Sequence, residues 1–257
     1  IANNHIGSHI CVDYPYLLAQ GLNGVKREVE ERMSKLDLTN PADVKKHEFY
    51  TAVKITLEAA GNFGKRYAKL AWSLANKEKD SRRAAELMKI AEVCSRVPAD
   101  PPRNFHEAVQ FVWFTHIVLM IEGWGPGMSF GRADQYLYPF YKKDLEEGRL
   151  TRDQARELLG CLCVKINEMA NRFSFETVRT AAGLNVLSNI TLGGVTKDGR
   201  DAVNELSYIF LEAEEEVRMH AEEFVIRVNK KTPDAFLLRA CETAKKLRGK
   251  LKFVCDE

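Results

Sequence analysis

Three short segments rich in branched apolar residues, Asn185–Leu192, Phe224–Val228 and Leu251–Val254, are separated by enough chain for one helix and its turns. Connections of that length suit parallel strands, because a tight hairpin joins only antiparallel neighbours. The first segment ends in Gly193-Gly194, Lys197-Asp198-Gly199 marks a turn, and 201–216 carries helical periodicity. Thr232-Pro233 opens another helix that runs to about 247. After Gly183 the chain therefore reads as parallel strands backed by helices, an α/β barrel or sheet.

Before that point the pattern is helical. Leu17, Leu18, Leu22, Val25, Val29 and Met33 stand at helical spacing and predict a helix over 15–36. Thr39-Asn40-Pro41 ends it and caps a long helix over 42–78. Asp80 caps a third, 81–95, which Pro98, Pro101 and Pro102 stop, since proline lacks a donor and clashes with a continuing helix. Asn104 caps 105–121. Asp13 and Tyr14 lead into the first helix, and further helices are expected over 132–147 and 151–172. Three strands cannot bury so many helices. The expectation is one partial domain over 1–257, with a helical shell to about 182 and the first strands and crossover helices over 183–257.

Composition excludes several classes. Lys and Arg number 38 against 36 Asp and Glu, with no basic block, so no nucleic-acid partner is expected. The longest apolar run, Ala108–Ile121, is interrupted by Gln110, Thr115 and His116, too short and too polar for a bilayer span. Six scattered cysteines include Cys161 and Cys163 as C-x-C, and no His/Cys cluster has zinc spacing. Reduced, mostly buried thiols of a cytoplasmic protein are expected.

Pro98–Tyr141 is the densest stretch: a proline-rich entry, an apolar helix, the Gly-rich loop Trp124–Met128, then Ser129-Phe130-Gly131-Arg132 and an aromatic run. Gly131 is expected in a tight turn, and Arg132 paired with a buried carboxylate such as Asp134 or Glu122. Asn204-Glu205 reads as an interior hydrogen-bonding device, and Glu212–Glu216 as a mostly solvated acidic face.

These pieces occur in a telling order. Arg66-Tyr67-Ala68, Val97-Pro98 with Pro101-Pro102, Ser129-Phe130-Gly131-Arg132 with Asp134-Gln135-Tyr136, Leu192-Gly193-Gly194 with Asp198-Gly199, Asn204–Tyr208, Arg227-Val228 and Asp256-Glu257 together resemble the glycyl radical enzymes of the pyruvate formate-lyase and diol dehydratase type, over essentially the whole chain. The resemblance implies part of a ten-stranded β/α barrel of two antiparallel five-stranded halves. It implies no cofactor bound by the chain itself. A glycyl radical would be installed by an activating enzyme that carries an iron–sulfur cluster and S-adenosylmethionine, and a thiyl cysteine would attack a small-molecule substrate. A homodimer is implied as well.

In the family the thiyl cysteine lies in a Gly-Cys-x-Glu loop and the radical in a C-terminal Arg-Val-x-Gly-Tyr loop. Both are expected beyond Glu257, leaving no catalytic residue within this chain, which alone is expected not to turn over. Cys255-Asp256-Glu257 also reads as Cys-x-Glu, but no glycine precedes Cys255 and Leu251–Val254 reads as a strand, which favours a strand position. By resemblance His9 matches a histidine that contacts substrate hydroxyls in the diol dehydratase branch. Pro126-Gly127 replaces a His-Ser pair of that branch, and Leu184 stands where those relatives have a tyrosine. Trp124, Met128 and Leu184 would then line a more apolar pocket. A site lacking the hydroxyl partners discriminates less for hydroxyls. The leading expectation is therefore C–C bond cleavage or formation on a small organic acid or apolar substrate, in a formate acetyltransferase-like enzyme or a lyase. A diol-type dehydratase or other C–heteroatom lyase, and a non-catalytic fragment or split subunit, are the alternatives.

Overall fold

The computed structural model describes residues 10–123, 127–169, 188–219 and 222–256. The chain divides into two compact units, Asp13–Val118 on one side and Ile1–Val12 with Leu119–Glu257 on the other. The division falls at 118/119, whereas the sequence changes character at 182/183. Helices that follow 119 belong with the strands because they bind them directly, as shown below.

The Asp13–Val118 unit holds α1 (Tyr14–Met33), α2 (Pro41–Ala75), α3 (Ser81–Arg96) and most of α4 (Phe105–Gly123). The expected caps are formed. Asp13 accepts from Tyr16 N at 3.2 Å, Asn40 from Ala42 N at 3.0 Å, Asp80 from Arg82 N at 2.9 Å and Asn104 from Glu107 N at 2.9 Å. Each satisfies a backbone donor that the first helical turn leaves without a partner. α2 approaches its neighbours through small residues, with Ala60, Gly61, Gly64, Ala71 and Ala75 buried. A Cβ at Gly64 would lie 2.6 Å from Val97 O, so only glycine admits that close approach. The proline segment runs across α1, where Pro98 O and Ala99 O accept from Leu22 N and Asn23 N at 3.0 and 2.8 Å.

The other unit is built on parallel strands. β1 (Ile10–Cys11) pairs with β2 (Met128–Ser129), and β3 (Ser188–Gly193) pairs with β4 (Glu222–Val228), which pairs with β5 (Lys252–Cys255). Every one of these pairings is parallel, as the crossover lengths require. A parallel bridge between Gly131 and Ile190 joins the two sheets, giving the lateral order β1, β2, β3, β4, β5. The two-residue strands β1 and β2 are not visible as periodicity in the sequence. Cys255 is the last residue of β5, opposite Val228.

The helix expected over 132–147 is two helices, α5 (Ala133–Tyr136) and α6 (Tyr138–Glu146), with Leu137 as the junction and Pro139 in the first turn of α6. Proline has no N–H to continue α5 but suits a helix start. α7 (Arg152–Asn167) opens with a capping box between Thr151 and Gln154. α8 begins at Glu205 rather than 201 and ends at Val217, because Ala202 N donates to Gly194 O at 3.0 Å and holds the chain extended. α9 spans Asp234–Lys246.

The acidic run of α8 is a connector and not a solvated face. Glu212 pairs with Arg152 at 2.7 Å and Glu216 with Arg156 at 2.9 Å, tying α8 to α7. Glu214 is fully buried and pairs with Lys250 ahead of β5. Glu215 receives Arg239 at 2.5 Å and Lys246 at 2.9 Å from α9. Burial pulls the Glu215 carboxyl upward, but hydrogen bonds from Arg239, Thr243 and Lys246 outweigh it and hold the group at about 2. All six cysteines are free thiols. Cys94 and Cys163 are buried, but Cys11, Cys161, Cys241 and Cys255 are exposed, so the expectation of mostly buried thiols fails. The C-x-C spacing cannot put both sulfurs on the core face of α7, since residues two apart on a helix diverge.

Gly194 closes the carboxyl ends of three strands. Its φ is +87°, its N–H donates to Arg227 O at 3.1 Å, and a Cβ there would lie 3.1 Å from both Arg227 Nε and Asp256 Oδ2. Gly194→Ala is expected to destabilise the protein by roughly 2 kcal/mol or more, from backbone strain plus displacement of the Arg227–Asp256 pair. Gly199→Ala, at φ +73° with nothing within 4 Å, should cost about 1 kcal/mol. Denaturant midpoints of the two variants test the difference.

Candidate substrate-binding edge

The segment that follows the Gly-rich loop is fixed atom by atom. Met128 is 3% exposed and sits opposite Ile10, and Ser129 sits opposite Cys11. The Ser129 hydroxyl donates to Asn189 O at 3.2 Å and accepts from Gly131 N at 3.0 Å. Phe130 N donates to Asn189 O at 2.8 Å, and Thr191 N to Gly131 O at 2.8 Å. Gly131 has φ +62°, and a Cβ there would lie 2.6 Å from Cys11 Sγ. Glycine is therefore required both by the turn and by the approach of β1.

Arg132 hydrogen-bonds no carboxylate among the described residues, and the side chain of Glu122, the other partner expected, lies outside them. Arg132 Nη1 donates to Val195 O at 2.8 Å and its Nη2 to Gly193 O at 2.7 Å, clamping the backbone where β3 ends. Asp134 is the carboxylate at this place, and it serves the backbone too. It is fully buried, and its Oδ2 accepts from Gly193 N at 2.8 Å and from the Ser207 hydroxyl at 2.6 Å. Asn204 caps α8 and donates to Asp134 O at 2.9 Å, so Asn204 is the interior device expected of it. Glu205, in contrast, stands 40% exposed beside Arg152. Burial pushes the Asp134 carboxyl up to about 6, against the hydrogen bonds from Gly193 and Ser207 that pull it down. Across the strand ends, Arg227 Nε meets Asp256 Oδ1 at 2.7 Å, and Asp256 N donates to Val228 O at 2.9 Å.

Of the residues expected at a pocket, Gly127 and Met128 are described. His9, Trp124, Pro126 and Leu184 lie outside the described residues. Gly127 is buried with φ +94°, a conformation that L side chains rarely adopt. In sequence, His9 directly precedes β1, Pro126-Gly127 directly precedes β2, and Leu184 stands four residues ahead of β3. Because β1, β2 and β3 are parallel neighbours, these strands all begin at one edge of the sheet. The joint grip of Arg132 and Asp134 on the β3 backbone is not among the sequence expectations. Its signal in the sequence was two charged residues flanking Ala133, a buried position in an otherwise apolar and aromatic run. Among the described residues no group of three or more His, Cys, Asp or Glu is placed to hold a metal ion, and no helix is long and apolar enough to cross a membrane.

This frame of parallel strands with enclosing helices is that of the glycyl radical enzymes, and the chain belongs to the pyruvate formate lyase-like family, whose model matches residues 2–257. It is 40% identical over 248 residues to the isethionate sulfite-lyase of Nitratidesulfovibrio vulgaris, an alignment covering 95% of this chain and 30% of the relative. It is 38% identical over 254 residues to the trans-4-hydroxy-L-proline dehydratase of Clostridioides difficile, covering 98% of this chain and 32% of that enzyme. The crystal structure of a glycyl radical enzyme from Archaeoglobus fulgidus superposes with a TM-score of 0.91 at 41% identity, covering 98% of this chain and 32% of that one. The chain thus spans about a third of the length of the proteins it matches, and its fold is an incomplete part of their barrel.

The Asp134 environment gives a pH signature. Below about pH 4 the carboxyl is protonated in folded and unfolded chains alike, and nothing is lost. Between about 4 and 6 the unfolded chain releases the proton while the folded one keeps it, so stability falls as pH rises through that window. Asp134→Asn keeps an acceptor for Gly193 and Ser207 but cannot ionise. The stability difference between variant and wild type should shift toward the variant by about 2–3 kcal/mol from pH 4 to pH 7, as read by denaturation at each pH.

Proposed function

We propose that this chain is part of a glycyl radical enzyme of the C–heteroatom lyase type, one that eliminates water, sulfite or a similar group from a small hydroxylated or otherwise polar substrate. The observation that carries the reading is the parallel order β1, β2, β3, held by the Ile10–Met128 pairing and the Gly131–Ile190 bridge. It brings the strand starts that follow His9, Pro126-Gly127 and Leu184 to one sheet edge, where the substrate would bind. The names of the similar proteins, a sulfite-lyase and a dehydratase, favour elimination over the C–C chemistry expected from the loss of the His-Ser pair. In this reading the radical, installed by an activating enzyme, supplies hydrogen abstraction when present. Residues of this chain bind and orient the substrate. His9 would donate to or accept from a hydroxyl, while Met128 and its neighbours keep water from the reacting carbon.

The geometry of Gly127 sharpens what Pro126-Gly127 does. At φ +94° a serine at position 127 would be strained. The pocket is therefore tested at Pro126 alone. In the intact protein, activated anaerobically, Pro126→His should lower KM for a small diol by about tenfold, the worth of one hydrogen bond of roughly 1.4 kcal/mol. His9→Ala should lower kcat/KM by a similar factor or more. Elimination itself is tested by product analysis. Carbonyl product with released water or sulfite is expected, and activated protein that yields only C–C cleavage or coupling products would overturn the reading.

A further inference from the structure

We propose that the groove between α2 and α3 is a docking seat for an acidic amphipathic helix of a partner protein. The groove measures about 460 Å³ and lies within the Asp13–Val118 unit. α2 lines it with Lys65, Ala68, Lys69 and Trp72. α3 lines it with Met88, Ala91, Glu92 and Ser95. Each wall therefore presents the i, i+3, i+4, i+7 spacing of a single helix face. Two helices that offer such faces side by side form a channel into which the ridges of a third helix fit. Ala68 and Ala91 keep the floor low enough for close approach. Trp72 and Met88 stand 56% and 45% exposed, large apolar groups that no described residue of this chain covers fully.

Charge selects the occupant. From Ala59 to Lys77 the chain carries Lys65, Arg66, Lys69 and Lys77 and no carboxylate. Lys65 and Lys69 form no ion pair among the described residues, whereas Glu92 on the opposite wall is already engaged by Lys89 at 3.0 Å and Arg103 at 3.3 Å. One wall is thus positive and unsatisfied, and the other is neutralised. A helix with an apolar stripe for Ala68, Trp72 and Met88, flanked by Glu or Asp facing Lys65 and Lys69, matches both features. A flat anionic bilayer matches the charge but not the channel.

The test uses the intact protein and a fluorescein-labelled synthetic acidic amphipathic helix, with a peptide of the same apolar stripe and Lys in place of Glu as control. Saturable binding of the acidic peptide alone is expected by anisotropy, weakening as salt is raised. The double substitution Lys65→Glu and Lys69→Glu should weaken it at least tenfold, as should Trp72→Ala. All three positions lie on the groove's exposed walls, and circular dichroism confirms that the variants fold. No saturable binding overturns the proposal, and so does equal binding of both peptides, since the groove is then filled or has no charge preference. Indifference to the substitutions overturns it, and so does binding to anionic lipid vesicles that exceeds binding to the acidic peptide.

Discussion

Asp134 lies fully buried and receives the Gly193 N–H and the Ser207 hydroxyl, while Arg132, two residues before it, holds the carbonyls of Gly193 and Val195. Both side chains leave one short turn and grip the same few backbone atoms at the end of β3. An ionised carboxylate in such a place is costly to bury, and the two hydrogen bonds that converge on Oδ2 offset part of that cost. The clamp joins three parts of the chain that are distant in sequence: the segment after the Gly-rich loop, the β3 terminus and the start of α8. It also steadies β2, which is only two residues long and has few ladder bonds of its own.

From that fixed point the sheet edge follows. The bridge between Gly131 and Ile190 sets β2 against β3, and the pairing of Met128 with Ile10 then sets β1 against β2. A register slip of one residue would turn the side chains to opposite faces. Ser129 resists such a slip, since its hydroxyl bonds to both Asn189 O and Gly131 N. Gly131 leaves room for Cys11 Sγ, so β1 seats only where that gap is. The strand starts associated with the candidate pocket are thus held by a frame built mainly from backbone groups and small residues.

Much of the secondary structure is legible in the sequence. Caps at Asn40, Asp80 and Asn104, proline stops at 98–102 and the three longer strands all follow from local chemistry, and all were found. The illegible parts share a cause. β1 and β2 are too short to show a period, and the break at Leu137 depends on how Pro139 is used: it stops α5 and starts α6 at once. The acidic run of α8 looked solvated because four glutamates in five residues suggest a water-facing surface. In the fold, basic residues from α7, α9 and the approach to β5 converge on it. The positive φ of Gly127, one of the candidate pocket residues, has no signal in the sequence.

The sequence by itself determined the order of elements, the parallel sense of the longer strands and the family, because these rest on periodicity, connection length and motif order, which are written along the chain. Tertiary structure decided which charges are partners: that Arg132 takes carbonyls and not Asp134, that Glu214 is buried against Lys250, and that Lys65 and Lys69 line an apolar groove with no ion pair among the described residues. Pairing depends on distances between residues remote in sequence, on the order of 60 positions apart for Arg132 and Gly193, and no local pattern encodes them.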